Sequence, residues 1–164
     1  MPEKETLERA EEDARQGKSA STQAGEFVRE EMHHIREGKH GASPTKQAIA
    51  IGLSKARRAG VKLQSPKIGT TSARTRNQAN RELRRGRVRR KPSRTRSRAT
   101  SAALKREGRG AASKRSLAEQ ARSSARRRGT AARKRSARKA VSTKGIRGRS
   151  QAARKAARTR ASHR

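Results

Sequence analysis

Apolar residues recur at helical spacing in one region of the chain, residues 26–68, and are sparse elsewhere. Phe27, Val28, Met32 and Ile35 follow one another at intervals that place them on one side of an α-helix. Gly38 comes after the last of them and is typical of the residue at which a helix ends. The pattern therefore predicts a first amphipathic helix that ends near Gly38.

A second helix is predicted over residues 45–59. Ser43-Pro44 is typical of a helix start, because Ser caps free N–H groups and Pro fits the first turn. The apolar positions spaced for one face are Ala48, Ile49, Leu53 and Ala56. Gly60 is expected to end the helix in a left-handed conformation. Residues 26–68 thus read as a helical hairpin, with so few apolar residues that we expect marginal stability.

The segments on either side of the hairpin carry weaker patterns. Residues 1–25 form an acidic and polar N-terminal arm whose Glu, Ala and Arg favour a helix, with Leu7 as the one anchor for it. Residues 69–86 could form a third helix, packed by Leu83 and by alanines.

Positive charge dominates the rest of the chain. Thirty-one of the 81 residues from Arg84 to Arg164 are Arg or Lys, opposed by Glu107 and Glu119, so this half carries +29 of the net +34. Such a segment repels itself and has too few large apolar residues for a core. We expect residues 87–164 to be a disordered, low-complexity Arg/Ala/Ser-rich tail. The predicted fold class is a mostly disordered chain with a small all-α helical hairpin and no sheet.

The tail nevertheless contains strong helix formers. Ala and Arg favour helix, whereas like charges at positions i,i+3 and i,i+4 oppose it. Phosphate contacts would remove this repulsion. We therefore expect residues 117–128, 131–140 and 152–161 to become helical only on binding a polyanion.

The polyanion that fits this charge is nucleic acid, whose phosphates bind Lys and Arg with release of counterions. Phe27 is the single aromatic residue, so there is no stacking platform for single strands, and no zinc-finger, RNA-recognition or KH motif occurs. We predict histone-like, sequence-independent binding that neutralises and compacts duplex DNA through phosphate contacts. The predicted binding residues are Lys55, Arg57, Arg58, Lys62, Arg84, Arg85, Arg87, Arg89, Arg90, Lys91, Arg126, Arg127, Arg128, Arg133, Lys134, Arg135, Arg138, Lys139, Arg154 and Lys155.

The basic end of the second helix and the acidic arm each allow an alternative interpretation. The basic end of the second helix, at Lys55, Arg57 and Arg58, also complements the helix dipole and needs no ligand for that role. The acidic arm is either a solvated, fraying helix or a segment that folds back on the basic tail and competes with DNA.

Other classes of function find little support in the sequence. There is no Cys and no recognisable catalytic set, so no enzyme activity, cofactor or small-molecule substrate is expected. His33 and His34 are adjacent and point in different directions on a helix, while His40 and His163 are isolated, so no metal site is predicted. No apolar run approaches 18 residues and no secretory signal is present, so no membrane partner is expected and the predicted location is cytoplasmic, with the nucleoid.

Two parts of the chain resemble known proteins. Residues 30–39 (EEMHHIREGK) and 46–60 (KQAIAIGLSKARRAG) are similar to a small bacterial domain family of uncharacterised function. That resemblance implies a bacterial or phage origin and a small helical module, without a reaction or site residues. The tail is similar to linker-histone C-terminal tails and to Ala/Lys-rich bacterial histone-like proteins, and Ser43-Pro44-Thr45-Lys46 resembles their S/T-P-x-K element.

One departure from those tails keeps a second function open. Histone-like tails are rich in Lys, whereas here Arg outnumbers Lys by 33 to 14. Arg pairs with phosphate through two hydrogen bonds and stacks on bases, which also suits RNA. The alternative prediction is an RNA- or ribosome-associated basic protein.

Overall fold

The structure, a computed structural model, describes residues 2–88 and 93–162, and within them the chain is all-α without a strand. The helices are α1 (Lys4–Arg15), α2 (Ala20–Glu37), α3 (Thr45–Arg58), α4 (Ala73–Val88), α5 (Arg94–Lys105), α6 (Lys114–Arg127) and α7 (Gly129–Ala161), with a short 3-10 helix at Gly110–Ala112. The chain divides into two compact units, residues 1–120 and 121–164.

Local sequence signals set the ends of α2. The Ser19 hydroxyl accepts a hydrogen bond from the backbone N–H of Thr22 at 3.4 Å, which satisfies a free donor of the first turn. Gly38 ends the helix with φ of 79°, a left-handed conformation that costs Gly little. The helix therefore begins six residues before the predicted hairpin boundary, within the predicted N-terminal arm of residues 1–25.

The core of the first unit consists of two small clusters along α2. Phe27 and Ala24 of α2 pack with Ala10 of α1 and Ala56 of α3. Farther along α2, a second cluster is made by Met32, Ile35, Ala42, Ala48, Ala111 and Ala112. Burying a side chain such as Phe27, which is fully enclosed, contributes about 1.5–3 kcal/mol. With so many alanines, the helices must approach closely to exclude water.

A glycine allows the closest approach of α2 and α3. Gly52 is buried in α3, and a Cβ placed on it would lie 2.7 Å from the Cα of Val28 in α2. α1 packs on α2, and α4 packs on α3 through Ala79, Glu82 and Gly86, which recur on one face of α4. The acidic arm is therefore a helix that packs on the hairpin.

A segment of the basic half joins this core. The N–H of Gly41 donates to the carbonyl of Leu104 at 2.8 Å, and the N–H of Ala42 donates to the carbonyl of Gly108 at 3.0 Å. The Thr45 hydroxyl donates to the carbonyl of Ala111 at 2.8 Å. Ala111 and Ala112 are buried against Met32 and Ile35. Residues 104–112 are thus docked on the turn between α2 and α3.

The second unit is helical with an exposed surface. α7 has no buried residue, and it bends at Gly145, whose φ of 61° and ψ of −176° are not helical. Its 33 residues include nine Ala and twelve Arg or Lys. Charge therefore covers the helix on several sides.

The prediction of a mostly disordered chain is wrong, and so is the interpretation of residues 87–164 as a disordered, low-complexity tail. Helices cover most of the described part of that range. The expected like-charge repulsion within the helices was too large. The basic residues of α7 often follow one another directly, as in Arg133-Lys134-Arg135, and consecutive side chains on a helix point in different directions. Three basic pairs at i,i+4 and three at i,i+3 in α7 cost about 1–3 kcal/mol in total, and the helix preference of Ala and Arg opposes this cost.

Candidate nucleic-acid interface

Two of the predicted binding residues lie in internal ion pairs. The Nζ of Lys55 is 2.9 Å from Oε1 of Glu30 and 2.7 Å from Oε2 of Glu31. Arg57 is buried, and its guanidinium is 3.5 Å from the carboxylate of Glu82 on α4. These two cations stabilise the contacts of α3 with α2 and α4, so they are not available to an external phosphate.

The other predicted residues of the first unit face solvent where they are described. Arg58 is exposed at the end of α3, where its guanidinium donates to the hydroxyl of Ser54 at 2.9 Å, and Lys62 is exposed just beyond. Arg84 and Arg85 are exposed on α4. Arg87 belongs to the backbone of α4, whereas Arg89, Arg90 and Lys91 lie outside the described residues.

The predicted residues of the second unit are all exposed. Arg126 and Arg127 end α6, Arg128 precedes α7, and the rest lie on α7: Arg133, Lys134, Arg135, Arg138, Lys139, Arg154 and Lys155. Residues 121–162 contain sixteen Arg or Lys, each exposed, and no Asp or Glu. No acidic side chain among residues 121–162 neutralises the charge.

The acidic residues of α1 are partly engaged within the first unit. Arg9 bridges Glu5 on α1 and Glu26 on α2, the latter at 2.8 Å. Lys18 pairs with the buried Asp13 at 2.7 Å. The arm thus has partners on its own helix, on α2 and in the turn between them.

A buried cluster of charged groups surrounds the end of α2. Glu30 and Glu31 are 3% and 1% exposed, and Lys55 reaches both. The Nε2 of His40 is 2.9 Å from Oε1 of Glu31, and the Nε2 of His34 is 2.8 Å from Oε1 of Glu3. Lys55 and His40 both contact the carboxylate of Glu31, yet neither of its oxygens receives a well-aligned hydrogen bond.

The ion pairs decide the protonation of these groups. Burial raises the pKa of Glu30, but hydrogen bonds from Lys55 and from the N–H of Glu3 outweigh it, so the pKa is lowered. Burial likewise opposes the charge of Lys55, but Glu31 and Glu30 raise its pKa. A hydrogen bond from His34, helped by Lys39, lowers the pKa of Glu3 to about 2. The carboxylates of Glu30 and Glu3 are therefore charged near neutral pH.

In the described part of the chain, one group of side chains has potential ligand atoms close enough to one another to hold a metal ion. One ligand atom from each of Glu31, His34 and His40 lies within 4.8 Å of those of the other two. The adjacent histidines His33 and His34, on which the expectation of no metal site rested, do not form this group together, because His33 is not part of it. The available signal was Glu31 and His34, three residues apart on one helix face, followed by a glycine turn that returns the chain at His40.

Comparison with known proteins gives one match. The sequence model of a family described as "Family of unknown function (DUF6496)" matches residues 15–68, about a third of the chain. This segment, which spans α2 and α3, is thus similar to a family without an assigned function. No curated protein and no solved structure matches the chain. None of the described helices is long and apolar enough to cross a membrane.

Proposed function

We propose that this protein binds nucleic acid, and duplex DNA in particular, independently of sequence through its exposed Arg and Lys residues, and that it associates with the nucleoid. The observation that carries the proposal is the surface of the second unit, where residues 121–162 expose sixteen cations and no anion. A solvent-exposed surface of this kind attracts a polyanion and releases its counterions. Neutralised phosphates allow duplexes to approach one another, which favours compaction.

The charge spacing on α7 suits a phosphate backbone. A helix of 33 residues has a contour length of about 50 Å, so its twelve basic residues provide roughly one charge per 4 Å. Phosphates on one strand of duplex DNA follow one another every 3.4 Å or so along the axis. The helix can thus contact many phosphates without a specific register.

Several features favour binding without base recognition. The single aromatic residue, Phe27, is fully buried and cannot stack on a base. The basic side chains point to several sides of α7, whereas a helix that reads bases presents a few fixed side chains to one groove. Phosphate contact is then the main source of affinity.

RNA is a second candidate because of the Arg excess, 33 against 14 Lys. Arg stacks on unpaired bases and pairs with phosphate, which favours structured RNA. Competition of unlabelled structured RNA against a labelled DNA duplex, at equal nucleotide and salt concentrations, separates the two. The RNA proposal is favoured if the labelled duplex is displaced by a much lower concentration of unlabelled RNA than of unlabelled DNA.

The decisive experiment compares two charge variants of the whole chain. In the first, Arg133, Lys134, Arg135, Arg138 and Lys139 are replaced by Gln, which keeps helix propensity and removes five charges. In its matched control, the three Arg become Lys and the two Lys become Arg. We measure duplex binding by fluorescence anisotropy across a salt series.

Each phosphate contact contributes about 0.9 to the slope of log affinity against log salt, so the Gln variant is expected to lose up to about 4.5 of that slope. The charge-preserving control is expected to keep it. An unchanged slope in the Gln variant would contradict the proposal that α7 binds the backbone.

A further inference from the structure

We propose that Glu31, His34 and His40 bind a divalent transition-metal ion of the zinc type at the turn between α2 and α3. One ligand atom of each residue lies within 4.8 Å of those of the other two. Zn²⁺ takes imidazole nitrogen and carboxylate oxygen at about 2.0–2.2 Å, which places ligands of a tetrahedral site roughly 3.4 Å apart. Small rotations of the side chains bring the three groups to that spacing. The proposal is independent of nucleic-acid binding.

The local fold assembles the three ligands. Glu31 and His34 are three residues apart on α2 and share a face. Gly38 ends α2 in a left-handed conformation, so the chain turns back and His40 faces Glu31 at 2.9 Å. The N–H of Gly41 is fixed by the carbonyl of Leu104, so this turn is held from outside as well.

Each histidine has a second partner of the kind found in metal sites. The Nδ1 of His40 is 3.0 Å from the carbonyl oxygen of Gly41, and the Nε2 of His34 is 2.8 Å from the carboxylate of Glu3. A nitrogen that donates to such an acceptor leaves the other nitrogen of the ring with a lone pair. His40 then presents Nε2, and His34 presents Nδ1, to a metal.

A further cation would stabilise the buried carboxylates of this cluster. Glu30 and Glu31 carry two negative charges, and Lys55 is the permanent cation that contacts both. Glu31 is 1% exposed, and neither of its carboxylate oxygens receives a well-aligned hydrogen bond. A buried charge is stable only when it is paired, and a cation bound by Glu31, His34 and His40 would give the Glu31 carboxylate a second partner.

The ligand set indicates the class of metal. Two imidazoles and one carboxylate suit Zn²⁺, Co²⁺ or Ni²⁺, whereas Mg²⁺ and Ca²⁺ prefer oxygen ligands. The chain has no Cys that could offer a competing thiolate. A bound ion would link the turn between α2 and α3 to the body of α2, next to the docked residues 104–112.

The test is a titration of the full-length protein with zinc chloride in a buffer that does not bind metal. Nuclear magnetic resonance of the imidazole rings reports each histidine separately. We expect saturation at one equivalent, with shifts of the His34 and His40 rings and none for His33, which is exposed on α2 and outside the cluster. Cobalt chloride should give the visible absorption of a four-coordinate site.

Four Gln variants complete the design. Both His40→Gln and Glu31→Gln should abolish binding at one equivalent, while the matched control His33→Gln should retain it. Glu3→Gln removes the partner of His34 and should weaken binding about 10–100-fold. If Glu31→Gln unfolds, His40→Gln decides alone. Absence of binding at one equivalent, or binding that His40→Gln leaves unchanged, would overturn the proposal.

Discussion

Replacing Gly41 by Ala tests whether the basic half of the chain contributes to the core. A Cβ on Gly41 would overlap the carbonyl of Glu107 and lie 2.7 Å from the carbonyl oxygen of Gly108. Backbone atoms cannot rotate away as a flexible side chain does, so residues 104–112 must shift or detach. Gly41 has no positive φ, so the overlap and not backbone strain is what the substitution tests.

The magnitude follows from the contacts that hold this segment. Two backbone hydrogen bonds, to the carbonyls of Leu104 and Gly108, are joined by side-chain hydrogen bonds to the carbonyls of Ala111 and Ala112. At about 1 kcal/mol for each of these four hydrogen bonds, complete detachment costs roughly 4 kcal/mol before the loss of alanine burial. Partial relaxation costs less. We expect Gly41→Ala to lower the free energy of unfolding by about 2–4 kcal/mol.

The assay is urea unfolding followed by far-ultraviolet circular dichroism, because the chain has no Trp or Tyr for fluorescence. Gly108→Ala is the matched control, since a Cβ there meets nothing within 4 Å and φ is not positive. We expect that variant to stay within about 1 kcal/mol of the parent. Equal stability of Gly41→Ala and the parent would refute the docking of residues 104–112.

Two further pairs of variants test the packing of α3. Gly52→Ala places a methyl group 2.7 Å from the Cα of Val28 and should destabilise the protein by about 1–3 kcal/mol, whereas Gly25→Ala, in open space on α2, should stabilise it by about 0.5–1 kcal/mol in thermal unfolding. Arg57→Met leaves the buried carboxylate of Glu82 without its cation and should cost about 3 kcal/mol, most of which Glu82→Met restores in the double variant. A double variant no more stable than Arg57→Met would argue against that pair.

Hydrophobic periodicity was informative where side chains were large. Of the four apolar residues that suggested the first helix, Phe27, Met32 and Ile35 are buried in α2 and Val28 is partly buried. Periodicity carried no information about residues 104–112, which dock through backbone carbonyls and through Ala111 and Ala112. Alanine occurs on exposed and buried helix faces alike, so its pattern does not distinguish them.

Composition also does not show which basic residues have acidic partners inside the fold. Lys55 and Arg57 look equivalent to Arg58 in the sequence, yet the first two have buried partners and the third faces solvent. The partners, Glu30, Glu31 and Glu82, lie 24 or 25 residues away along the chain, which no local pattern reveals. The cluster of Glu31 with His34 and His40 is local in sequence, but it depends on the path of the chain after Gly38, which brings His40 back to Glu31.

The proposed function rests on the basic residues that face solvent and are not held in buried ion pairs such as those of Lys55 and Arg57. The cations of the first unit that face solvent, such as Arg84 and Arg85 on α4, could add contacts to those of α7. Lys55→Gln should therefore lower stability without changing the salt slope of DNA binding. This variant separates cations that stabilise the fold from cations proposed to bind phosphate.

The most direct test of the central claim is the salt dependence of duplex DNA binding by the intact chain. A protein that contacts about ten phosphates has a slope of roughly −9 in log affinity against log salt. We predict a steep slope that is the same for duplexes of unrelated sequence. A slope shallower than about −3, or an affinity that depends strongly on sequence, would contradict binding through the exposed cations.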